Sequence, residues 1–211
     1  YLLSDTLIIQ KSGINIQGAG NATILYFTKG LEELYPMYNR PGLPGQSDWS
    51  WQGGMITFSG YISDFGIQSL RIEFPDHIWT GHDFHERGYN AIGFTGNAHD
   101  GWIRNITISG SDVGIWIGRH VHHITLDGWT LDCGPDRAAG PKGIGHHGAN
   151  VYGGHNLLQN FDIRGKFHHD LSVESEYSQF NVFRKGKGVD ICIDHHNHDA
   201  GYNLFTNLDM G

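Results

Sequence analysis

The sequence predicts an all-β fold, a parallel β-helix solenoid of about 22–24 residues per turn. Three observations carry this prediction. The second half of the chain can be written as repeated turns opening at Asn90, Asp112, Lys142, Lys166 and Val189. Where no loop intervenes, adjacent openings fall 22, 24 and 23 residues apart, a period of repeat architectures. Each turn opens on alternating apolar and polar residues, with no helical period. Gly makes up 31 of 211 residues, and Asn, Asp, Ser and Thr fill the gaps between apolar runs, which is a turn-rich β composition.

The elements follow in order. "LIIQKSGINIQGAGNATILYF" gives three strands, and "GMITFSGYISDFGIQSLRIEF" gives the next turn. "NAIGFTGNAHDGWIRNITISGS" and "DVGIWIGRHVHHITLDGWTLDC" each hold an opening strand, a polar break and a second strand. The last three turns repeat this scheme, and in them Asn156, Asn181 and Asn203 hold nearly equivalent positions. Stacked Asn side chains can hydrogen-bond along a ladder of turns. Leucine-rich repeats share the period, but their fixed Leu spacing is absent.

Three stretches break the period: residues 30–54, 75–88 and 133–142. Each precedes an opening strand, so the three insert loops should project from one edge of a single domain spanning residues 1–211. The first residues start mid-pattern and "NLDMG" looks like the end of a repeat, which suggests a fragment of a longer chain.

Composition excludes several classes. Asp plus Glu outnumber Lys plus Arg by 22 to 14, a net charge of −8, so non-specific nucleic-acid binding is not expected. No run reaches the ~20 apolar residues of a membrane span. Two cysteines are too few for a disulfide framework, and Cys192 sits in an apolar strand pattern as a small packed residue.

Segments along most of the chain carry a resemblance. "INIQGAGNATILYF", "DGWIRNITISGSDVGIWI", "HHDLSVE", "NVFRKGKGVDICIDHH" and "NLFTNLDMG" resemble turns of the pectate-lyase-like right-handed parallel β-helix superfamily. The resemblance implies a single-stranded right-handed helix, a secreted or cell-surface (extracellular or periplasmic) location, and a polysaccharide cleft on the opening-strand face beside the insert loops. It is weak for reaction, because that superfamily holds lyases, hydrolases, epimerases, tailspikes and adhesins.

Strand alternation sorts the opening strands. Taking the apolar positions as inward puts Ala149, Val151, Leu171, Val173, Ile191 and Ile193 in the core. Three outward rows follow: Gly148, Asp170, Asp190; then Asn150, Ser172, Cys192; then Tyr152, Glu174, Asp194. Asp170, Glu174, Asp190 and Asp194 would thus face outward on adjacent turns, close enough for like charges to raise a pKa. His147, His169 and His196 flank them and can move protons near neutral pH.

Four readings compete for this cluster. In a lyase, the reading ranked first, His169 or His196 takes a proton and Arg164, Lys166, Arg184 or Lys187 neutralises a uronate. A hydrolase would use two of the four carboxylates. In a metal site, carboxylates alone suit Ca²⁺, with Asp170 and Asp190 as its ligands. The fourth reading is a polar, hydrated face. Trp49, Trp51, Trp79 and Tyr152 are expected to bind sugar rings. The alternative to an enzyme acting on an acidic glycan is a structural or adhesin-like module that stacks end to end.

Overall fold

The computed structural model describes residues 1–35, 53–81, 86–133, 143–196 and 198–211. The expected positions Trp49 and Trp51, with most of the three insert loops, lie outside the described residues.

The first turn carries β1 (Leu2–Leu3), β2 (Leu7–Ile9), β3 (Asn15–Gln17) and β4 (Ile24–Phe27), followed by a four-residue helix, α1 (Leu31–Leu34). Then come β5 (Ile56–Ser59), β6 (Phe65–Glu73), β7 (Asn90–Thr95), β8 (His99–Ser109), β9 (Val113–Ile117) and β10 (His122–Asp132). The last third holds β11 (His147–Val151), β12 (Leu157–Gln159), β13 (Asp162–Ile163), β14 (His169–Val173), β15 (Val182–Gly188), β16 (Ile193–His195) and β17 (Leu204–Asp209).

These strands form two sheets in which every pairing is parallel. The first sheet runs β2-β5-β7-β9-β11-β14-β16. The second contains β1, β3, β4, β6, β8, β10, β12, β13, β15 and β17. From β5 onward the chain alternates between the sheets, and each strand pairs with its equivalents one repeat earlier and later. The result is a nearly all-β fold compatible with a parallel β-helix.

Backbone handedness explains where the turns bend. Left-handed residues recur in two columns five positions apart: Asp64 with Ser69, Asp100 with Asn105, His123 with Gly128, His155 with Asn160, Phe180 with Lys185, and Tyr202 with Asn207. The first column enters the second sheet and the second bends it. Asn, Asp and Gly tolerate this conformation best, so their enrichment is a geometric demand. Phe180, Lys185 and Tyr202 adopt it too, where neighbouring turns dictate the path.

The core lies between the sheets. Ile56, Ile92, Ile115, Ala149 and Leu171 stack in register on one side, and Ile67, Ile103, Leu126, Leu158 and Phe183 on the other, all essentially inaccessible. Each of these Ile, Leu and Phe side chains contributes about 1.5–3 kcal/mol by leaving water. Trp129 stacks on Phe161 at 4.9 Å, and a Cβ at Gly186 would stand 2.0 Å from the Phe161 ring, which explains that glycine on the next turn. The Asn ladder forms as expected. Asn156 Nδ2 donates to Asn181 Oδ1 and Asn181 Nδ2 to Asn203 Oδ1, both at 3.0 Å. Both cysteines are free thiols. Among the described residues, no helix is long and apolar enough to cross a membrane.

Candidate functional site

The outer face of the first sheet is built by β9, β11, β14 and β16. Ile115, Ala149 and Leu171 are buried register partners, and Ile193 continues their register on the last turn, where it is exposed and not in the core as expected; the next residue of each strand points out. Trp116, Asn150, Ser172 and Asp194 form that outward row. Two residues on, Tyr152, Glu174 and His196 form a second row, tied by backbone bonds to Ile117, Val151 and Val173 of the preceding turns.

This register corrects the last turn of the sequence reading. Ile193, not Ile191, opposes Leu171, so Asp194 sits beside Ser172 instead of Glu174, and His196 takes the place beside Glu174. Ile191 remains buried below the strand start. Asp190 leaves the face altogether. It has left-handed backbone, is 76% exposed, and pairs with the Lys166 ammonium.

Asp170 is fully buried, and both its oxygens are engaged. Oδ1 accepts the Phe167 N–H and Oδ2 the Cys192 N–H, each at 2.9 Å. It pins one turn to the next, which leaves neither a pair of open carboxylates for Ca²⁺ at Asp170 and Asp190 nor a proton donor facing the groove. Burial pushes the Asp170 carboxyl up to about 6, and the two N–H bonds oppose that rise. Among the described residues no group of three or more His, Cys, Asp or Glu is arranged to hold a metal ion.

The expected cations lie elsewhere. Arg164 and Lys187 engage Asp162, and Arg184 bonds Gln159, all on the second sheet or its edge. Trp79 is only 3% exposed, packed near His146 and His168 with ring centroids 6.0 Å away, so it is a support under the insert loop and not an open sugar platform.

What converges is a row of imidazoles beside two carboxylates. His146, His147 and His169 stack, with centroids 4.4 Å and 5.0 Å apart along the row, and His168 meets His169 edge-on at 4.4 Å. A Cβ at Gly148 would stand 2.4 Å from the Asp170 carbonyl oxygen, so the glycine after His147 lets the two turns approach this closely. Below the row, Glu86 Oε1 and His146 Nδ1 lie 2.6 Å apart, both groups fully buried. His147 Nδ1 stands 3.1 Å from Ser172 Oγ and 3.6 Å from Glu174 Oε1. Asp194 Oδ2 stands 3.4 Å from His169 Nδ1 and 3.7 Å from His196 Nδ1.

Several charges and dipoles act on Glu174. Burial raises the Glu174 carboxyl, and the nearby Asp194 charge adds to that rise. The Tyr152 hydroxyl, donating to Glu174 Oε2 at 2.6 Å, and the His196 charge pull the other way. Tyr152 is itself pushed up, by burial first and then by Glu174. Glu174 Oε1 and Asp194 Oδ2 are both shielded from solvent and neither has a hydrogen bond. Trp116 Nε1 shares that condition on the same face.

Of the expected residues, the fold gathers His147, His169, His196, Glu174, Asp194 and Tyr152. Sequence reasoning missed Trp116 and Glu86 as members of the site, whereas the doubled histidines His146–His147 and His168–His169 are legible as flanks of the carboxylates. The outward position after Ile115 could have revealed Trp116; nothing local marks Glu86. Compared with family models, with curated proteins and with solved structures, the chain matches none.

Proposed function

We propose that the chain is a right-handed parallel β-helix of the pectate-lyase-like kind, and that it binds a glycan across the outer face of its first sheet and cleaves it by acid–base chemistry. Right-handedness follows the rule for parallel strands joined by crossovers. One observation carries the cleavage reading. Glu174 Oε1 and Asp194 Oδ2, on adjacent turns of one face, are buried without a hydrogen bond. Their nearest polar neighbours are imidazole nitrogens at 3.6 Å for Glu174 and at 3.4 and 3.7 Å for Asp194, so a bound substrate that supplied closer partners would complete their hydrogen bonding.

Hydrolysis fits the arrangement best. Glu174, whose carboxyl burial raises, is assigned as the proton donor, and Asp194 beside His169 as the base. Neighbouring strands ~4.8 Å apart and alternate residues ~6.5–7 Å apart put the two backbone positions roughly 8 Å apart on the diagonal, a spacing from which side chains can reach the roughly 6.5–9.5 Å carboxyl separation of inverting glycosidases. Glu174 protonates the glycosidic oxygen as its bond to the anomeric carbon breaks. Water adds to that carbon from the opposite side and yields its proton to Asp194. β-Elimination is the second reading, favoured by the stacked imidazoles His147 and His169, which offer a base for a carbon-bound proton. Either activity places the working protein outside the cytoplasm, where polymeric glycans lie.

A panel of neutral and uronate-containing polysaccharides tests this. New reducing ends without ultraviolet absorbance are expected from hydrolysis, and an unsaturated uronate absorbance would move the assignment to elimination. No product from any member would overturn the cleavage reading in favour of a binding or structural module.

A further inference from the structure

A second concave site opens where the strands of the first sheet end. It is a cleft of about 610 Å³ between the turns that follow β9, β11 and β14. Its wall carries Arg119, His120, His122, His123 and His155, with Glu176 as the acid among its lining residues. On a chain of net charge −8, this is a local concentration of cation-forming groups.

The cleft lies close to the candidate catalytic face. Tyr152 lies three residues before His155, and Glu174 two before Glu176. The Arg119 charge is felt at the Tyr152 hydroxyl. The floor is tightly built: a Cβ at Gly153 would stand 2.0 Å from the Val121 carbonyl oxygen, and one at Gly154 would stand 2.7 Å from that of Tyr177.

We propose that this cleft holds an acidic sugar unit of the glycan, with Arg119 as the fixed cation that receives its carboxylate or sulfate. The proposal rests on the glycan-binding reading above and adds to it the charge of the substrate and the place where that charge is read. Arg119 meets Glu176 only at 3.7 Å, with both side chains about half exposed. Exposed pairs of this kind are worth at most about 1 kcal/mol, so an incoming anion can take the guanidinium over. Guanidinium also suits carboxylate and sulfate through paired hydrogen bonds. Tyr177, 47% exposed, flanks the cleft with ring surface for a sugar, and Phe180 lines it while stacked on His155 and Tyr202.

The histidines make the site responsive to pH. His120 meets the Tyr177 ring edge-on, and His155 stacks on Phe180. His122 faces His99, His123, His155 and Asp100, and Asp100 also stands 3.5 Å from His123. Burial, then its imidazole neighbours, holds His122 below the ordinary imidazole range. Imidazoles gain charge on acidification, so the cleft becomes more positive and should hold an anion more tightly as pH falls.

Calorimetric titration with hexamers of glucuronate, galacturonate and mannuronate, each beside its methyl ester, tests the assignment. At least one acid hexamer should bind about tenfold more tightly than its ester, and more tightly at about pH 5.5 than at about pH 7.5. Arg119→Gln should abolish the preference for acid over ester, and a His120→Gln/His155→Gln double variant should flatten the pH response while keeping the Arg119-dependent preference. Equal binding of acid and ester, no binding of either, or an unchanged Arg119→Gln variant would overturn the proposal. The two readings fail separately. Arg119-dependent binding without products removes the cleavage reading alone, and equal cleavage of acid and ester removes this proposal alone.

Discussion

Asn181 and Asn150 are both fully buried, and their surroundings are opposite. Asn181 stands in the ladder between Asn156 and Asn203. Its Oδ1 accepts from the Asn156 backbone and side chain, and its Nδ2 donates to Asn203 Oδ1 and the Gly153 carbonyl. Asn150 stands on the outer face of the first sheet, its amide close to the Tyr152 hydroxyl but with neither atom in a hydrogen bond of full geometry. A buried polar residue is ordinary when every lone pair and proton is used; it asks for a ligand when they are not. The same contrast separates Asp170, saturated by backbone N–H groups, from Asp194 and Glu174.

The largest expected effect is on turnover. Glu174→Gln removes the proton donor and should lower the rate by about 10²–10⁴-fold on a cleaved glycan. Urea unfolding should move by no more than about 1 kcal/mol, because the lost oxygen Oε1 makes no hydrogen bond. A large loss of stability in this variant would break the distinction between the two regions.

The ladder should respond the other way. Asn181→Ala orphans the Asn156 N–H and the Gly153 carbonyl, and should cost about 3 kcal/mol or more in the same unfolding experiment. Asn150→Ala should stay within about 1 kcal/mol yet weaken glycan binding. Equal costs at the two positions would show that the missing hydrogen bonds on the outer face have no bearing on function.

Asp170 sharpens the comparison through pH. Its carboxyl rises from 3.8 to about 6 on folding, so the folded chain holds this proton more tightly than the unfolded chain. The stability it contributes is therefore fully present below about pH 4 and lost as pH rises to about 6, by up to about 3 kcal/mol. Comparing unfolding of the protein and its Asp170→Asn variant across that window should show a steeper loss of stability with the aspartate, because Glu174 is raised in both.

The smallest effect concerns Tyr152. Its hydroxyl stabilises the ionised form of Glu174, so Tyr152→Phe should raise the Glu174 carboxyl further. The limb of the rate profile on which activity falls with rising pH should then move upward, by less than about one pH unit. A downward move would reject Glu174 as the acid.

Much of the architecture could be read from residues alone, because the information is local and repeated. The inward Ile115, Ala149 and Leu171, the ladder asparagines and the glycine-rich corners each recur near a 23-residue period. The site was read only in part. His147, His169, Glu174 and Tyr152 were anticipated at the groove, whereas Asp170 and Asp190 were grouped with them by alternation and proved to serve packing and a surface ion pair. Arg164, Lys166, Arg184 and Lys187 have the right charge, but their carboxylate and amide partners lie away from the groove. Arg119, unremarkable in sequence, is the cation whose charge reaches the face.

The sequence by itself determined the period, the alternation that buries one side of each strand, and the Asn column that ties successive turns. Those properties follow from residue type and spacing, which any stacked turn repeats. Only the tertiary structure decided the register of the last turn. A strand pattern with period two is unchanged by a shift of two residues, so Ile191 and Ile193 were equivalent partners for Leu171 until the turns packed. That single choice put Asp194 beside Ser172 and His169, sent Asp190 to the surface, and fixed which acids share a face.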